Sequence, residues 1–89
     1  MMTMNATLQL IDTKALYKHA RNNRFEVAHS DHCACFFCGD IFAPEQITEW
    51  TDKDMTALCP HCKMDAVLPA YNGIPTDTET LMALNKYAF

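Results

Sequence analysis

The sequence predicts one small α+β domain in which a metal centre lies between an N-terminal and a C-terminal helix. Three observations lead to this prediction: the chain has only 89 residues, it contains two Cys-x2-Cys pairs, and helix-compatible segments lie towards both ends. A hydrophobic core of this size gives only marginal stability by itself, so a covalent or metal staple is expected. We therefore treat residues 1–89 as a single stapled domain.

The composition is that of a chain that folds in water. Hydrophobic residues make up 49% of the sequence, charged residues 20%, and there are only 2 glycines, which excludes a low-complexity or collagen-like chain. No apolar run approaches the roughly 18 residues of a membrane span, and Asp12 and Lys14 interrupt the region where a signal peptide is apolar. We expect a soluble cytoplasmic protein with reduced cysteines and no membrane partner.

The first predicted element is a single amphipathic helix from about Thr7 to Asn23. Leu8, Ile11 and Ala15 recur at helical spacing, and Asn22-Asn23 is a plausible stop. These residues and the lead-in that follows them form the predicted N-terminal part, residues 1–32.

That lead-in is predicted to be extended. Phe25 and Val27 alternate with polar residues, a pattern typical of a short strand, and His29–His32 has the composition of a turn.

A β-hairpin is predicted between the two cysteine pairs. The segments 47–51 and 55–58 flank the polar Asp52-Lys53-Asp54, which has a suitable length for a hairpin connection. A helical turn opening at Ala43-Pro44-Glu45 is an alternative for the start of this region.

Two more helices are predicted. The first covers about Pro60 to Leu68, because proline suits the first helical position and Pro69 marks the far end. After a loop at 72–75, Thr76-Asp77-Thr78-Glu79 has a capping-box pattern ahead of a final helix that reaches about Tyr87. Residues 33–70 thus form the predicted core, and residues 71–89 a loop and C-terminal helix.

The two cysteine pairs are the candidate metal site. Each pair has a two-residue gap, and twenty residues separate the pairs. Zinc binds four soft ligands at tetrahedral corners about 2.3 Å away, and a two-residue gap lets one turn present two sulfurs to the same ion. We predict one structural Zn²⁺ per chain, and neither a catalytic residue nor a further cofactor. The predicted ligands are Cys35, Cys38, Cys59 and Cys62.

The sequence does not assign a single role to four other residues near these ligands. Cys33 is a second choice in place of Cys35, through a four-residue gap that zinc sites also allow. His29 and His32 form either a minor second metal site or part of a turn. His61 lies between two ligands, and we expect it to be solvated.

The residues after each cysteine pair differ. Gly39 follows Cys38, as in a zinc knuckle that needs a positive φ, whereas no glycine follows Cys62 and the chain there can continue as a helix. This order of knuckle, hairpin and ligand-bearing helix resembles the treble-clef zinc-finger superfamily, and the segment 35–68 is similar to small uncharacterised bacterial and phage zinc-finger proteins. The resemblance implies a metal site and leaves function open, because treble clefs occur in nucleases, ribosomal proteins and protein-binding adaptors.

Charge and aromatic residues favour a non-enzymatic module that binds a protein partner. Phe36 and Phe37 occupy the tip of the predicted knuckle, where either one of them is an exposed anchor or both pack with Phe42 and Trp50. The formal net charge is −4, which suits a basic partner. A homodimer through either terminal helix is also open. The acidic residues of the middle segment are Asp40, Glu45, Glu49, Asp52 and Asp54.

Nucleic-acid binding is the main alternative function. Lys14, Lys18 and Arg21 recur at helical spacing with Arg24 close by, and such a stripe can follow phosphates. A net negative chain argues against a surface built mainly for that purpose.

Two enzymatic readings are weaker. An HNH-type nuclease carries its catalytic histidine on the hairpin, but residues 39–58 contain no histidine and Asp31-His32 precedes the first cysteine pair. Thiol redox chemistry is suggested by Cys59-Pro60-His61-Cys62 at a helix N-terminus, but it leaves the first cysteine pair without a purpose.

Overall fold

The structure is a computed structural model, and it describes residues 12–89 of the chain. This part contains three α-helices, two single turns of 3-10 helix and five short strands. In chain order the elements are α1 (Thr13–Tyr17), a 3-10 helix (Lys18–Ala20), α2 (Arg24–Ala28), β1 (Cys33–Cys35), β2 (Ile41–Phe42), a second 3-10 helix (Pro44–Gln46), β3 (Trp50–Thr51), β4 (Thr56–Ala57), β5 (Val67–Pro69) and α3 (Thr78–Ala88).

Strand β1 is the middle strand of an antiparallel sheet in the order β2-β1-β5. Cys33 lies opposite both Phe42 and Pro69, and Cys35 lies opposite Val67. All three residues of β1 and all three of β5 are buried, so both faces of this part of the sheet are covered. Because β1 ends at Cys35 where β5 begins, the sheet brings the chain that follows the second cysteine pair alongside the first pair.

The predicted hairpin is confirmed. Strands β3 and β4 pair antiparallel, with Trp50 opposite Ala57 and Thr51 opposite Thr56. The connecting residues 52–54 all have positive φ, as a tight turn between twisted strands requires. The alternative of a helical turn is also realised, since Pro44–Gln46 is a 3-10 helix that precedes the hairpin.

The predicted N-terminal helix is wrong in its extent. Of the described residues, α1 covers only Thr13–Tyr17, the helix tightens to 3-10 geometry up to Ala20, and Arg21 is extended. The reason is tertiary: the buried side chain of Asn23 donates a hydrogen bond to the carbonyl of Val67 and accepts one from the amide of Ala57, and these partners draw the chain away from the helix into the core. The residues Leu8 and Ile11, on which the prediction also depended, lie outside the described residues.

The extended segment predicted after this helix is also wrong. Residues Arg24–Ala28 form α2, with Val27 buried and Phe25 61% exposed. The Phe25 ring stacks on His29, one helical turn later, at a centroid distance of 4.2 Å. The alternation of apolar and polar residues therefore comes from a short helix, in which Val27 packs in the core and Phe25 makes a contact at the surface.

The helix predicted over residues 60–68 is absent. The chain after Cys59 makes a turn in which Lys63 has φ 70°, and then enters β5. Ala66, Val67 and Leu68 are completely buried, and such a run suits a strand covered on both faces. The treble-clef assignment is therefore not confirmed, because its ligand-bearing helix is replaced here by a turn and a strand.

The predicted C-terminal helix is confirmed. Helix α3 begins after Asp77, whose carboxylate accepts hydrogen bonds from the amide and the hydroxyl of Thr80. Leu81 and Leu84 are buried, and α3 packs against α1. With 11 residues, α3 is the longest helix of the described part, and no helix there has the length and apolar character to cross a bilayer.

A buried asparagine joins the two halves of the described fold. Asn23 is completely buried, and its side-chain amide donates to the carbonyls of His19 and Val67 at 2.9 and 3.0 Å. Its carbonyl oxygen accepts from the amide of Ala57 at 3.1 Å. One side chain therefore satisfies backbone groups of the first 3-10 helix, β4 and β5, which would otherwise be buried without partners.

We predict that Asn23→Ala lowers the free energy of unfolding by about 3 kcal/mol, because it leaves several buried backbone groups without hydrogen bonds. The measurement is urea denaturation of the metal-loaded protein. The matched control is Asn22→Gly, since Asn22 is exposed, has φ 48° and uses only its backbone amide, which donates to Thr56. Equal stability of the two variants would contradict the structural role of Asn23.

Candidate metal centre

Four cysteine sulfurs meet at one point of the structure. The Sγ atoms of Cys35, Cys38, Cys59 and Cys62 all lie within 4.8 Å of one another. The Cys35–Cys62 distance is 3.6 Å and the Cys38–Cys59 distance is 3.7 Å. Sulfurs at the corners of a tetrahedron with bonds of about 2.3 Å are about 3.8 Å apart, whereas a disulfide needs about 2.05 Å. The cluster could therefore hold one metal ion, and none of the four cysteines forms a disulfide.

The first cysteine pair lies in a knuckle between β1 and β2. The amide of Gly39 donates to the carbonyl of Cys35 at 2.8 Å, and the amide of Cys35 donates to the carbonyl of Asp40 at 2.9 Å. The amides of Phe37 and Cys38 point at the Cys35 sulfur, at 3.3 and 3.5 Å. Gly39 has φ 84°, as predicted for a knuckle.

The second pair repeats this geometry. The amide of Lys63 donates to the carbonyl of Cys59 at 3.0 Å, and the amide of Cys59 donates to the carbonyl of Met64 at 2.9 Å. The amides of His61 and Cys62 point at the Cys59 sulfur, at 3.3 and 3.4 Å. The site therefore consists of two equivalent knuckles, and these amides stabilise thiolate charge where the sequence predicted the N-terminus of a helix.

The thiols differ in pKa because their surroundings differ. Burial raises the pKa of Cys35 far above its usual range, although the Cys38 amide opposes this effect, and burial raises the pKa of Cys38 to about 11. Burial also acts to raise the pKa of Cys59, but hydrogen bonds from the Cys62 amide and from neighbouring thiols outweigh it, and the pKa is lowered. A cation that binds here must displace protons from the raised thiols, so its affinity falls as the pH falls.

The site is shielded from one side. Cys35 and Cys59 are buried, Cys62 is half-buried and Cys38 is exposed. The side chain of Asn85 on α3 donates to the carbonyl of Phe36 at 3.0 Å, so the C-terminal helix holds the first knuckle in place. This contact is not predictable from the sequence, because an asparagine on a helix surface gives no signal of its partner.

Cys33 is not part of the cluster. It lies in the centre of the sheet, and burial together with the negative charge of Glu45 raises its pKa to about 12. Cys33 therefore does not replace Cys35 in the cluster, and it is a buried residue of the hydrophobic core.

The histidines near the cysteines have other partners. The Nδ1 of His29 lies 2.8 Å from the carbonyl oxygen of Phe25, whereas the Nε2 of His32 lies 3.0 Å from the hydroxyl of Thr76. Within residues 12–89 neither belongs to a cluster with metal-binding geometry, so the second metal site is not supported. His61 is exposed, as expected, and its Nδ1 lies 2.7 Å from a carboxylate oxygen of Asp40.

The two aromatic residues of the first knuckle have different environments. Phe36 is buried between Tyr17 and Phe89, and Phe37 is 47% exposed with its ring edge-on to Phe89 at 4.9 Å. Of the two predicted arrangements, the one with a single exposed ring is confirmed. The arrangement in which both rings pack with Phe42 and Trp50 is wrong. The ring contacts of Phe36 and Phe37 are instead with Tyr17 of α1 and with Phe89, which directly follows α3.

Only part of the predicted basic stripe is free to contact a nucleic acid. Lys14, Lys18 and Arg21 are exposed, but Arg24 is engaged within the fold. Its guanidinium lies 4.5 Å from the ring centroid of Trp50 and donates to the carbonyl of Asp54 at 2.6 Å. Arg24 therefore holds the hairpin against α2.

Comparisons of the chain with protein-family models, with curated proteins and with solved structures found no match.

The repeated knuckles predict opposite effects for two substitutions. Gly39→Ala destabilises the protein by about 1 kcal/mol, because a Cβ is unfavourable at positive φ, although it meets no atom within 4 Å. Lys63→Gly stabilises it by roughly 0.5 kcal/mol, because glycine relieves the same strain at some cost in chain entropy. Thermal unfolding of the metal-loaded protein measures both.

The control for the second substitution is Lys63→Ala. It removes the exposed ion pair between Lys63 and Glu49, which has a length of 3.4 Å and contributes little, while keeping the unfavourable φ. If Lys63→Ala is as stable as Lys63→Gly, the left-handed backbone is not what limits the second knuckle.

Proposed function

We propose that Cys35, Cys38, Cys59 and Cys62 hold one structural Zn²⁺, and that the domain is a non-enzymatic recognition module for a protein partner. The observation that carries the metal proposal is the convergence of four sulfurs within 4.8 Å of one another, with 3.6 and 3.7 Å between the two closest pairs across the knuckles, which fits a tetrahedral site. Tetrahedral sulfur sites bind zinc or iron, and zinc is the ion that serves a purely structural role.

A shell of four cysteine sulfurs leaves no position for a water molecule. A zinc ion held in this way stabilises a fold and does not activate a nucleophile, so we expect no hydrolytic activity, including that of an HNH-type nuclease. For thiol redox chemistry, a helix N-terminus after Cys59 would have been favourable, but a turn follows that residue instead. Both enzymatic alternatives therefore lose support relative to a structural metal.

The proposed contribution of the metal is to folding. The described core is small and is made of short strands, with β2, β3 and β4 only two residues long each. A structural zinc site supplies on the order of 10 kcal/mol of apparent binding energy. That amount is comparable to the whole stability of an ordinary small domain.

We predict that Cys59→Ser loses the metal and most of the cooperative unfolding transition. The matched control is Cys33→Ser, which changes a buried cysteine outside the cluster and keeps one zinc per chain. Elemental analysis of purified protein measures zinc and iron, and circular dichroism measures folding. Full zinc content in Cys59→Ser would remove that residue from the ligand set, and stoichiometric iron in the unaltered protein would overturn the choice of ion.

The partner proposal is supported by the surface beside the metal centre. Phe37 presents a half-exposed ring, and exposed Asp40 follows it in the same knuckle. Four thiolates outweigh the charge of one zinc ion, so the loaded centre adds negative charge to this region. An apolar anchor beside negative charge fits a basic protein partner with an apolar side chain at its centre.

Nucleic-acid binding remains the second candidate, and one observation favours it. Lys14, Lys18 and Arg21 are exposed in the structure, and a row of cations can contact phosphates. It ranks second because Arg24 is committed to Trp50 and Asp54 within the fold, and because the chain is net negative.

We predict that affinity capture from lysate retains a basic protein, that nuclease treatment does not release it and that Phe37→Ala abolishes the capture. The control is Phe25→Ala, which removes an exposed phenylalanine from a different aromatic cluster. Loss of the captured material on nuclease treatment, together with its loss when Lys14 and Lys18 are changed to alanine, would favour nucleic acid over a protein partner.

A further inference from the structure

The outward face of α3 carries an apolar residue between two opposite charges. Leu81 and Leu84 of this helix are buried against the core, whereas Glu79, Met82 and Lys86 are exposed. The spacing of three and then four residues places these exposed side chains in one stripe along the helix. Met82 is 66% exposed, which makes it the most exposed large hydrophobic residue described in the structure.

An open depression lies on the same face. It has a volume of about 490 Å³, and the described residues that line it are Met82, Ala83, Asn85 and Lys86. The small side chain of Ala83 lets another backbone approach the helix closely at this point, as small residues do where helices cross. The depression is thus bordered by the stripe and is large enough for a side chain of the size of methionine.

Neither charge of the stripe has an ion-pair partner among residues 12–89. Glu79 and Lys86 are seven residues apart, about 10.5 Å along the helix axis, so they do not reach each other. Their midpoint lies between Met82 and Ala83. A second copy of α3 packed antiparallel about that midpoint would bring Glu79 of each copy opposite Lys86 of the other.

We propose that the protein forms a two-fold symmetric homodimer through α3, with Met82 and Ala83 at the axis. Met82 of each copy enters the depression beside Ala83 of the other, and two Glu79–Lys86 pairs flank this apolar centre. The antiparallel arrangement also places the positive end of each helix dipole next to the negative end of the other. The second copy is the occupant that this surface selects, because the stripe is complementary to its own rotated image.

The apolar centre supplies most of the affinity in this dimer, and the rim pairs set the orientation of the helices. This division makes a charge-exchange experiment decisive. Like charges would face each other in either single reversal, whereas a double reversal restores complementary pairs.

The experiment is sedimentation equilibrium of the zinc-loaded protein and of five variants. We expect a dimer whose dissociation constant increases about tenfold in Glu79→Lys and in Lys86→Glu, and returns to within about threefold of the original value in the double variant. Met82→Asp yields a monomer. The matched control is Met55→Asp, which alters a methionine that is 41% exposed on the hairpin and leaves the dimer intact.

Two results would overturn the proposal. One is a monomer of the unaltered protein at concentrations up to about 1 mM, where even weak association is detectable. The other is a double variant that is as weak as the single variants, because it would show that the charges do not face each other. Zinc content and circular dichroism of every variant separate loss of the dimer from loss of the fold, so this outcome is independent of the proposal about the metal.

Discussion

The convergence of four cysteine sulfurs is the constraint on which the rest of the described structure depends. Two knuckles twenty residues apart in sequence must meet with their sulfurs less than 4.8 Å apart. The sheet achieves this because β5 pairs with β1 directly beside the first knuckle. Each knuckle satisfies backbone groups of its own turn and directs amides towards a sulfur, so that the two turns present their cysteines in the same way.

A second constraint is polar and lies in the buried interior. Asn23 holds the first 3-10 helix, β4 and β5 together through three hydrogen bonds of its side chain. A network of this kind stabilises one arrangement of short elements because any shift leaves a buried donor or acceptor unpaired. The sulfur cluster and this asparagine thus fix the relative positions of strands that are too short to do so by pairing alone.

The sulfur cluster and Asn23 both have structural roles, so we look for recognition on the outer surfaces. A closed sulfur shell argues for a structural metal, so the proposals about function concern what the surface binds. The first knuckle presents Phe37 beside Asp40, and the outward face of α3 presents Met82 between opposite charges, although Phe37 and Met82 also line a common groove. The two surfaces have different chemistry, and for this reason we assign a basic partner to the first and a second copy of the chain to the other.

The sequence by itself determined the features with a strong local pattern: the four clustered cysteines, the hairpin around Asp52-Lys53-Asp54, the knuckle at Gly39 and the C-terminal helix. Tertiary structure decided the rest. A short apolar run such as 66–68 is compatible with either a helix or a strand, and only its burial beside β1 selects the strand. Lys63 adopts a left-handed backbone because the second knuckle must close around the sulfurs, and the N-terminal helix ends early because Asn23 finds its partners 34 and 44 residues away. Such long-range contacts leave no mark on local residue patterns.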